Sequence, residues 1–246
     1  MNFIIDIFNT ILYRPLLNTL VILYQLMPGH DFGVAVILLT ILTRLIIYPL
    51  ISQSLKSQKT LAGLQPKIQE IQNKYKADKE KQAKELISLY QKEKINPLGG
   101  LLPLLVQFPI LIALYQVFWK GLRPEEMTNL YSFVSRPRII DPKFFGLINL
   151  AEASLVLALI AAIFQFIQTK MLTRYQPVGL GKTLKETDQM THFSNLFQKQ
   201  MLYFLPVFTV FILWKLPAAI ALYWLTTSLF SLVQEYIFFK PHIEKT

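Results

Sequence analysis

Five long apolar stretches constrain this 246-residue chain more than any other feature of its sequence. A helix that crosses a bilayer needs about 20 mostly apolar residues, and four of the stretches reach that length while one is shorter. Hydrophobic residues make up 53% of the chain and charged residues only 16%, which is too apolar for an ordinary soluble domain. The sequence therefore predicts an all-α polytopic membrane protein with a five-helix core, whose spans are 33–55, 98–119, 153–172, 200–216 and 218–239.

The N-terminal residues 1–32 are predicted to form a segment separate from the membrane core, which occupies 33–246. From Leu16 to Met27 there are only twelve residues, several of them polar, and Arg14-Pro15 precedes them. A segment that is short and amphipathic is typical of a helix lying in the membrane interface. We predict such an interfacial helix within 1–32, with a sixth span as the alternative.

A charged insertion, 56–97, separates the first two predicted spans. It contains ten lysines and five acidic residues, and its apolar residues recur at spacings of three and four on both sides of KADKE, 76–80. This periodicity predicts two helices that pack as an antiparallel hairpin along a narrow apolar seam. The hairpin could serve only to keep two membrane helices apart, or it could dock a cytosolic partner.

The basic balance of the chain, a formal charge of +10, has two interpretations. In a soluble protein it would suggest nucleic acid, but in a membrane protein the loops that stay in the cytoplasm are rich in Lys and Arg. With five spans, 17 of the 25 basic residues lie on the side of the hairpin and the C-terminus, and 7 lie on the other side. We therefore predict no specific nucleic-acid binding, an outer N-terminus and a cytoplasmic C-terminus. The loop 120–143 fits this rule poorly, because it carries Lys120, Arg123, Arg136, Arg138 and Lys143 on the outer side.

Arg44 is a permanent cation near the middle of the first predicted span. A central arginine costs about 2.5–3.5 kcal/mol on insertion scales. Of the acidic residues, only Glu152 and Glu235 lie near any span, and both fall near span ends. The remaining candidates are polar side chains in the spans: Thr40, Thr43, Gln107, Gln165, Gln168, Tyr223, Trp224, Thr226, Thr227 and Ser228. Each could simply hold helices together, or together they could surround a hydrated, positively charged cavity that attracts a visiting polar group.

Motifs for bond chemistry are missing from the sequence. There is no cysteine, and His30, His192 and His242 are scattered outside the spans. Metalloprotease, nucleophile-elbow and phosphate-loop patterns do not occur. We expect no catalytic residues, no metal and no cofactor.

Three strings resemble the YidC family of membrane protein insertases, which has Oxa and Albino relatives in mitochondria and chloroplasts. They are GVAVILLTILTRLIIYPL (33–50), a long string from LQPKIQEIQNKYK to LLVQFPILIALY (64–115) and LPVFTVFILWKLPAAIALYW (205–224). The resemblance implies five helices around a hydrophilic groove that opens to the cytoplasm and the lipid. It also implies the residues of that groove, which are Arg44, Thr40, Gln107, Gln165, Gln168, Tyr223 and Trp224.

The resemblance further implies an insertase of the bacterial cell membrane that performs no bond chemistry. Its partners would be nascent membrane proteins and the lipid bilayer, with the ribosome and the Sec translocon as further candidates. One departure from the family pattern is Lys215, which stands where relatives commonly have an apolar residue. The alternatives are a small-solute transporter or channel, which would predict inverted repeats, and a structural membrane protein.

Overall fold

The computed structural model describes residues 2–93, 102–120, 123–173 and 202–243. Most of these residues are helical, and the only strands among them form one two-stranded antiparallel hairpin. The α-helices are α1 (Asn2–Phe8), α2 (Arg14–Leu26), α3 (Phe32–Gly63), α4 (Gln65–Lys74), α5 (Lys79–Lys92), α6 (Leu102–Lys120), α7 (Leu155–Thr173), α8 (Leu202–Leu213) and α9 (Ala218–Ile243). The strands are β1 (Lys143–Phe144) and β2 (Ile148–Asn149).

Each predicted span corresponds to a helix in the part of the chain that the structure describes: α3, α6, α7, α8 and α9. The first of these continues eight residues beyond the predicted end of the span, to Gly63. Residues 98–101 and 200–201 of the second and fourth predicted spans, and 94–97 of the hairpin, lie outside the described residues. By length and composition, α3 and α7 are apolar enough to cross a membrane, whereas α6 and α8 have shorter apolar parts. The all-α membrane fold is confirmed.

The N-terminal helix is longer than the sequence indicates. α1, a π-helical turn over Asn9–Tyr13 and α2 form one helical run, and Phe3–Leu26 is long and apolar enough to cross a membrane. Pro15 lies inside this continuous run but does not end it. The π-helical turn directly before it shifts the backbone hydrogen bonds, with the Arg14 amide bonded to the Asn9 carbonyl, and so accommodates the proline. The twelve-residue estimate was therefore wrong, the sixth span remains an alternative, and the interfacial placement remains a prediction.

The described residues fall into two compact units. The first comprises Met1–Ile47, Leu104–Gln165 and Pro206–Ser231. Its buried core combines α2, α3, α6, α7 and α9 with the connection between α6 and α7. Small residues Ala158, Ala161 and Ala221 are fully buried on α7 and α9, as expected where membrane helices approach closely.

The second unit comprises the described parts of Tyr48–Pro103, Phe166–Leu205 and Leu232–Thr246. It contains the predicted hairpin, and the break between α4 and α5 falls at Tyr75–Asp78. Asp78 begins α5 by accepting a hydrogen bond from the Lys81 amide at 3.0 Å. The apolar seam is also confirmed, since Leu61, Leu64, Ile68 and Leu86 form one buried cluster.

Candidate functional site

Arg44 is largely buried in the first unit. It lies twelve residues after the start of α3, roughly 18 Å along the helix, and its exposed fraction is 8%. Thr40 is fully buried one turn before it, and Thr43 is almost fully buried beside it. Both threonine hydroxyls donate to carbonyls of their own helix, to Val36 and Thr40 respectively, each at 2.7 Å. Their protons are thus already used, and what they can offer to a ligand is an acceptor oxygen.

Tyr223 links two helices at this site, and a charge on a third helix lies within electrostatic range of it. It is buried on α9, and its hydroxyl accepts a hydrogen bond from the Gln107 side-chain amide on α6. The Arg44 guanidinium on α3 is close enough to interact electrostatically with the same phenol, and Thr227 faces it from the next turn of α9. The structure therefore brings together three of the predicted residues, Arg44, Gln107 and Tyr223, from three separate stretches of sequence.

The other predicted residues occupy different surroundings. Gln165 is buried on α7 in the first unit, and its Oε1 has no hydrogen-bond partner among the described residues. Trp224 is partly buried against the core of that unit. Gln168 belongs to the second unit, where its amide donates to Glu235 Oε1 at 3.1 Å.

Glu235 is a buried acid near the predicted end of the last span, and only 4% of it is exposed. Its burial was not predicted from the sequence. Its neighbour Gln234 is also buried and donates to Ser52 Oγ at 3.2 Å. One sequence feature could have revealed this burial: Gln234 and Glu235 are adjacent polar residues in an otherwise apolar helix. Polar groups in such a helix need buried partners.

Lys215, the predicted departure from the family pattern, lies at the surface. It is exposed in the turn between α8 and α9, and its Nζ lies 5.2 Å from the centre of the Phe211 ring. A cation over an aromatic face is a favourable contact at an exposed site.

A cavity of about 400 Å³ lies beside Thr43. Its walls come from α2 with the π-helical turn, α3 and Ile110 of α6, and Thr19 and Thr43 are its only polar residues. Arg44 does not line it. This apolar cavity is therefore not the hydrophilic groove that the family resemblance implies.

The hydrogen bond between Gln107 and Tyr223 gives a test of the contact between α6 and α9. Tyr223→Phe removes the acceptor of the Gln107 amide, and Gln107→Leu removes the donor. In membrane helices such pairs couple by about 0.6 kcal/mol on average and at most about 1.7 kcal/mol. We expect a coupling in this range from a double-mutant cycle, measured as free energy of unfolding in mixed micelles. Strictly additive single effects would show that the bond contributes nothing to stability.

Comparison with known proteins shows where the chain belongs. The model of the 60Kd inner membrane protein family matches residues 22–245. Membrane protein insertase YidC of Fusobacterium nucleatum is 33% identical over 85% of this chain and 87% of its own length, and that of Oceanobacillus iheyensis is 30% identical over 97% and 86%. The YidC protein of Geobacter metallireducens is 33% identical over 91% of this chain, but the match spans 36% of that longer protein. The chain, with its apolar helices, therefore belongs to the 60Kd inner membrane protein family, the family of the YidC proteins.

Proposed function

We propose that this chain is a membrane protein insertase, and that the cluster of Arg44, Gln107 and Tyr223 receives a polar segment of the client. The relatives named above carry the name insertase. The single observation that supports a site here is the buried guanidinium of Arg44, which lies within electrostatic range of Tyr223, itself hydrogen-bonded to Gln107. An ionisable group inside a membrane bundle is expensive, and such groups commonly mark a functional pathway.

The proposed mechanism lowers a desolvation cost and forms no covalent bond. A polar segment cannot leave water for lipid without losing its hydrogen bonds, at several kcal/mol for each unsatisfied group. Arg44 supplies a positive charge, and Gln107 and Tyr223 supply hydrogen-bonding groups, so the segment exchanges water for protein contacts. The apolar helix of the client then partitions sideways into lipid. A membrane potential, positive outside, would add to the force on an acidic segment.

The topology and the partners belong to the same proposal. The N-terminus lies outside, and the hairpin of α4 and α5 and the C-terminus lie in the cytoplasm, as the distribution of Lys and Arg favours. Nascent chains reach the site from the cytoplasmic side, where the ribosome is the source of clients and the Sec translocon an optional neighbour. The groove is hydrated and open to the cytoplasm and lipid, and Thr40, Gln165 and Trp224 of the first unit contribute to it.

Reconstitution tests the insertase proposal. The purified chain is placed in proteoliposomes and given a freshly translated single-span client with a short acidic N-terminal tail. We expect the tail to become protected from added protease, above the level in protein-free liposomes. A yield equal to that of empty liposomes would refute the proposal. Release of a trapped small dye without protection of the tail would favour the channel alternative.

A further inference from the structure

The segment from Tyr131 to Leu150, between α6 and α7, exposes large apolar side chains together with cations. Four apolar residues are strongly exposed: Phe133 (76%), Ile139 (83%), Phe145 (68%) and Leu147 (86%). Arg136, Arg138 and Lys143 are also exposed, and Asp141 is the only acid in this stretch. Lys143 lies 3.7 Å from Asp141, but both side chains are more than half exposed, so water screens the pair and Lys143 remains able to contact a phosphate. With three cations and one acid, the segment carries a net charge of +2.

The tip of this segment, the turn Phe144–Leu147, has a backbone conformation that residues other than glycine rarely adopt. β1 and β2 pair antiparallel, and the turn between them closes with a hydrogen bond from the Leu147 amide to the Phe144 carbonyl at 3.0 Å. Phe145 and Gly146 in that turn have φ of 48° and 70°. Glycine adopts such values freely, but a bulky aromatic residue does so rarely. The turn thus displays an aromatic ring at a position where Asn or Gly would be the ordinary choice.

Two contacts fix the tip at the beginning of α3. Asp31 Oδ2 accepts a hydrogen bond from the Phe145 amide at 2.5 Å, while its Oδ1 accepts one from the Val34 amide in the first turn of α3. The Phe144 ring lies over Gly33, where a Cβ would overlap it. Since α3 is long and apolar enough to cross the membrane, the exposed Phe145 and Leu147 lie at the level where a membrane helix begins.

We infer that the segment 131–150 is a lipid-binding anchor, in which Phe145 and Leu147 enter the acyl boundary and Arg136, Arg138 and Lys143 bind phosphates of anionic phospholipids. Interfacial membrane binding combines buried apolar area with attraction of cations to anionic headgroups, and this segment presents both. The anchor also accounts for three of the five cations of the loop 120–143, which the positive-inside rule leaves unexplained. The inference goes beyond client insertion and does not depend on which side the segment faces.

The experiment uses the absence of native cysteine in the chain. Single-cysteine variants Leu147→Cys and, as a matched control, Glu125→Cys are labelled with the environment-sensitive dye NBD. Glu125 is exposed on the short 3₁₀ helix Pro124–Asn129, earlier in the same connection. The full chain is placed in nanodiscs of phosphatidylcholine and phosphatidylglycerol, so that both faces are open to reagents.

At position 147 we expect blue-shifted emission, quenching by lipids spin-labelled near the headgroup, and iodide quenching several-fold weaker than at 125. Equal iodide quenching at the two positions would overturn the inference. Protection from both iodide and spin-labelled lipid would also overturn it, because protein rather than lipid would then cover the tip.

A second arm tests the cations. In the triple variant Arg136→Gln, Arg138→Gln, Lys143→Gln, the protection of position 147 should fall to the level found in pure phosphatidylcholine. Protection that is independent of both lipid charge and these three residues would overturn the phosphate-binding half of the inference. Thermal unfolding of each variant verifies that the fold is retained.

Discussion

Arg44→Ala is expected to reduce insertion of a client with an acidic translocated tail by about 10-fold or more. A hydrogen bond to a charged group contributes about 1.5–3 kcal/mol, and 1.4 kcal/mol corresponds to a factor of ten. The stability of the protein should not fall in parallel, because the substitution also removes a buried charge that is costly to keep in a membrane. The measurement is protease protection of the tail in proteoliposomes, together with the melting temperature of each variant.

Two further variants show whether a loss of insertion comes from the charge of Arg44, from the geometry of its guanidinium, or from the removal of any cation. Arg44→Lys keeps the charge but not the planar guanidinium, so retained insertion would assign the effect to charge. Lys215→Ala removes an exposed cation near the end of α8 and should leave insertion unchanged. If Arg44→Ala inserts the acidic client as well as the wild type does, Arg44 is not the group that receives it.

Individual residues of the candidate site could be predicted from the sequence, because each carries a strong local signal. An arginine inside an apolar helix is conspicuous by its cost, and the strings around Gln107 and Tyr223 carry the family resemblance. The five apolar helices and the hairpin follow from length and periodicity alone. The hydrogen bond between Gln107 and Tyr223 was not predicted, since it joins residues 116 positions apart.

Other features depend on contacts between residues distant in sequence, which no local pattern reveals. The buried Glu235 accepts a hydrogen bond from Gln168 on another helix. The placement of Phe144 over Gly33 joins residues more than a hundred positions apart. The N-terminal helix was underestimated because Arg14-Pro15 resembles a helix boundary, whereas the π-helical turn Asn9–Tyr13 continues the helix across it.

Leu86→Ala is expected to destabilise the hairpin of α4 and α5 by about 2–5 kcal/mol, the usual cost of truncating a buried leucine. Leu86 is 1% exposed and packs against Leu61, Leu64 and Ile68. The seam is narrow, so there is little other apolar burial to hold the two helices together. Outside this seam, α4 and α5 are also joined by a hydrogen bond from the Gln82 side-chain amide to the Gln72 carbonyl at 2.7 Å.

Hydrogen exchange of the full chain in micelles measures this effect locally. Amides of α4 and α5 should exchange about 30-fold faster or more in Leu86→Ala, since 2 kcal/mol corresponds to that factor. Amides of α7 should be unaffected. Ile87→Ala is the matched control: its side chain is 55% exposed on the same helix, and alanine has the higher helix propensity, so exchange should not accelerate. Equal acceleration in both variants would mean that the apolar seam does not hold the hairpin together. If Leu86→Ala loosens the hairpin but insertion activity stays complete, the hairpin serves only to keep two membrane helices apart. If the variant loses only the insertion of ribosome-bound clients, the docking role is favoured.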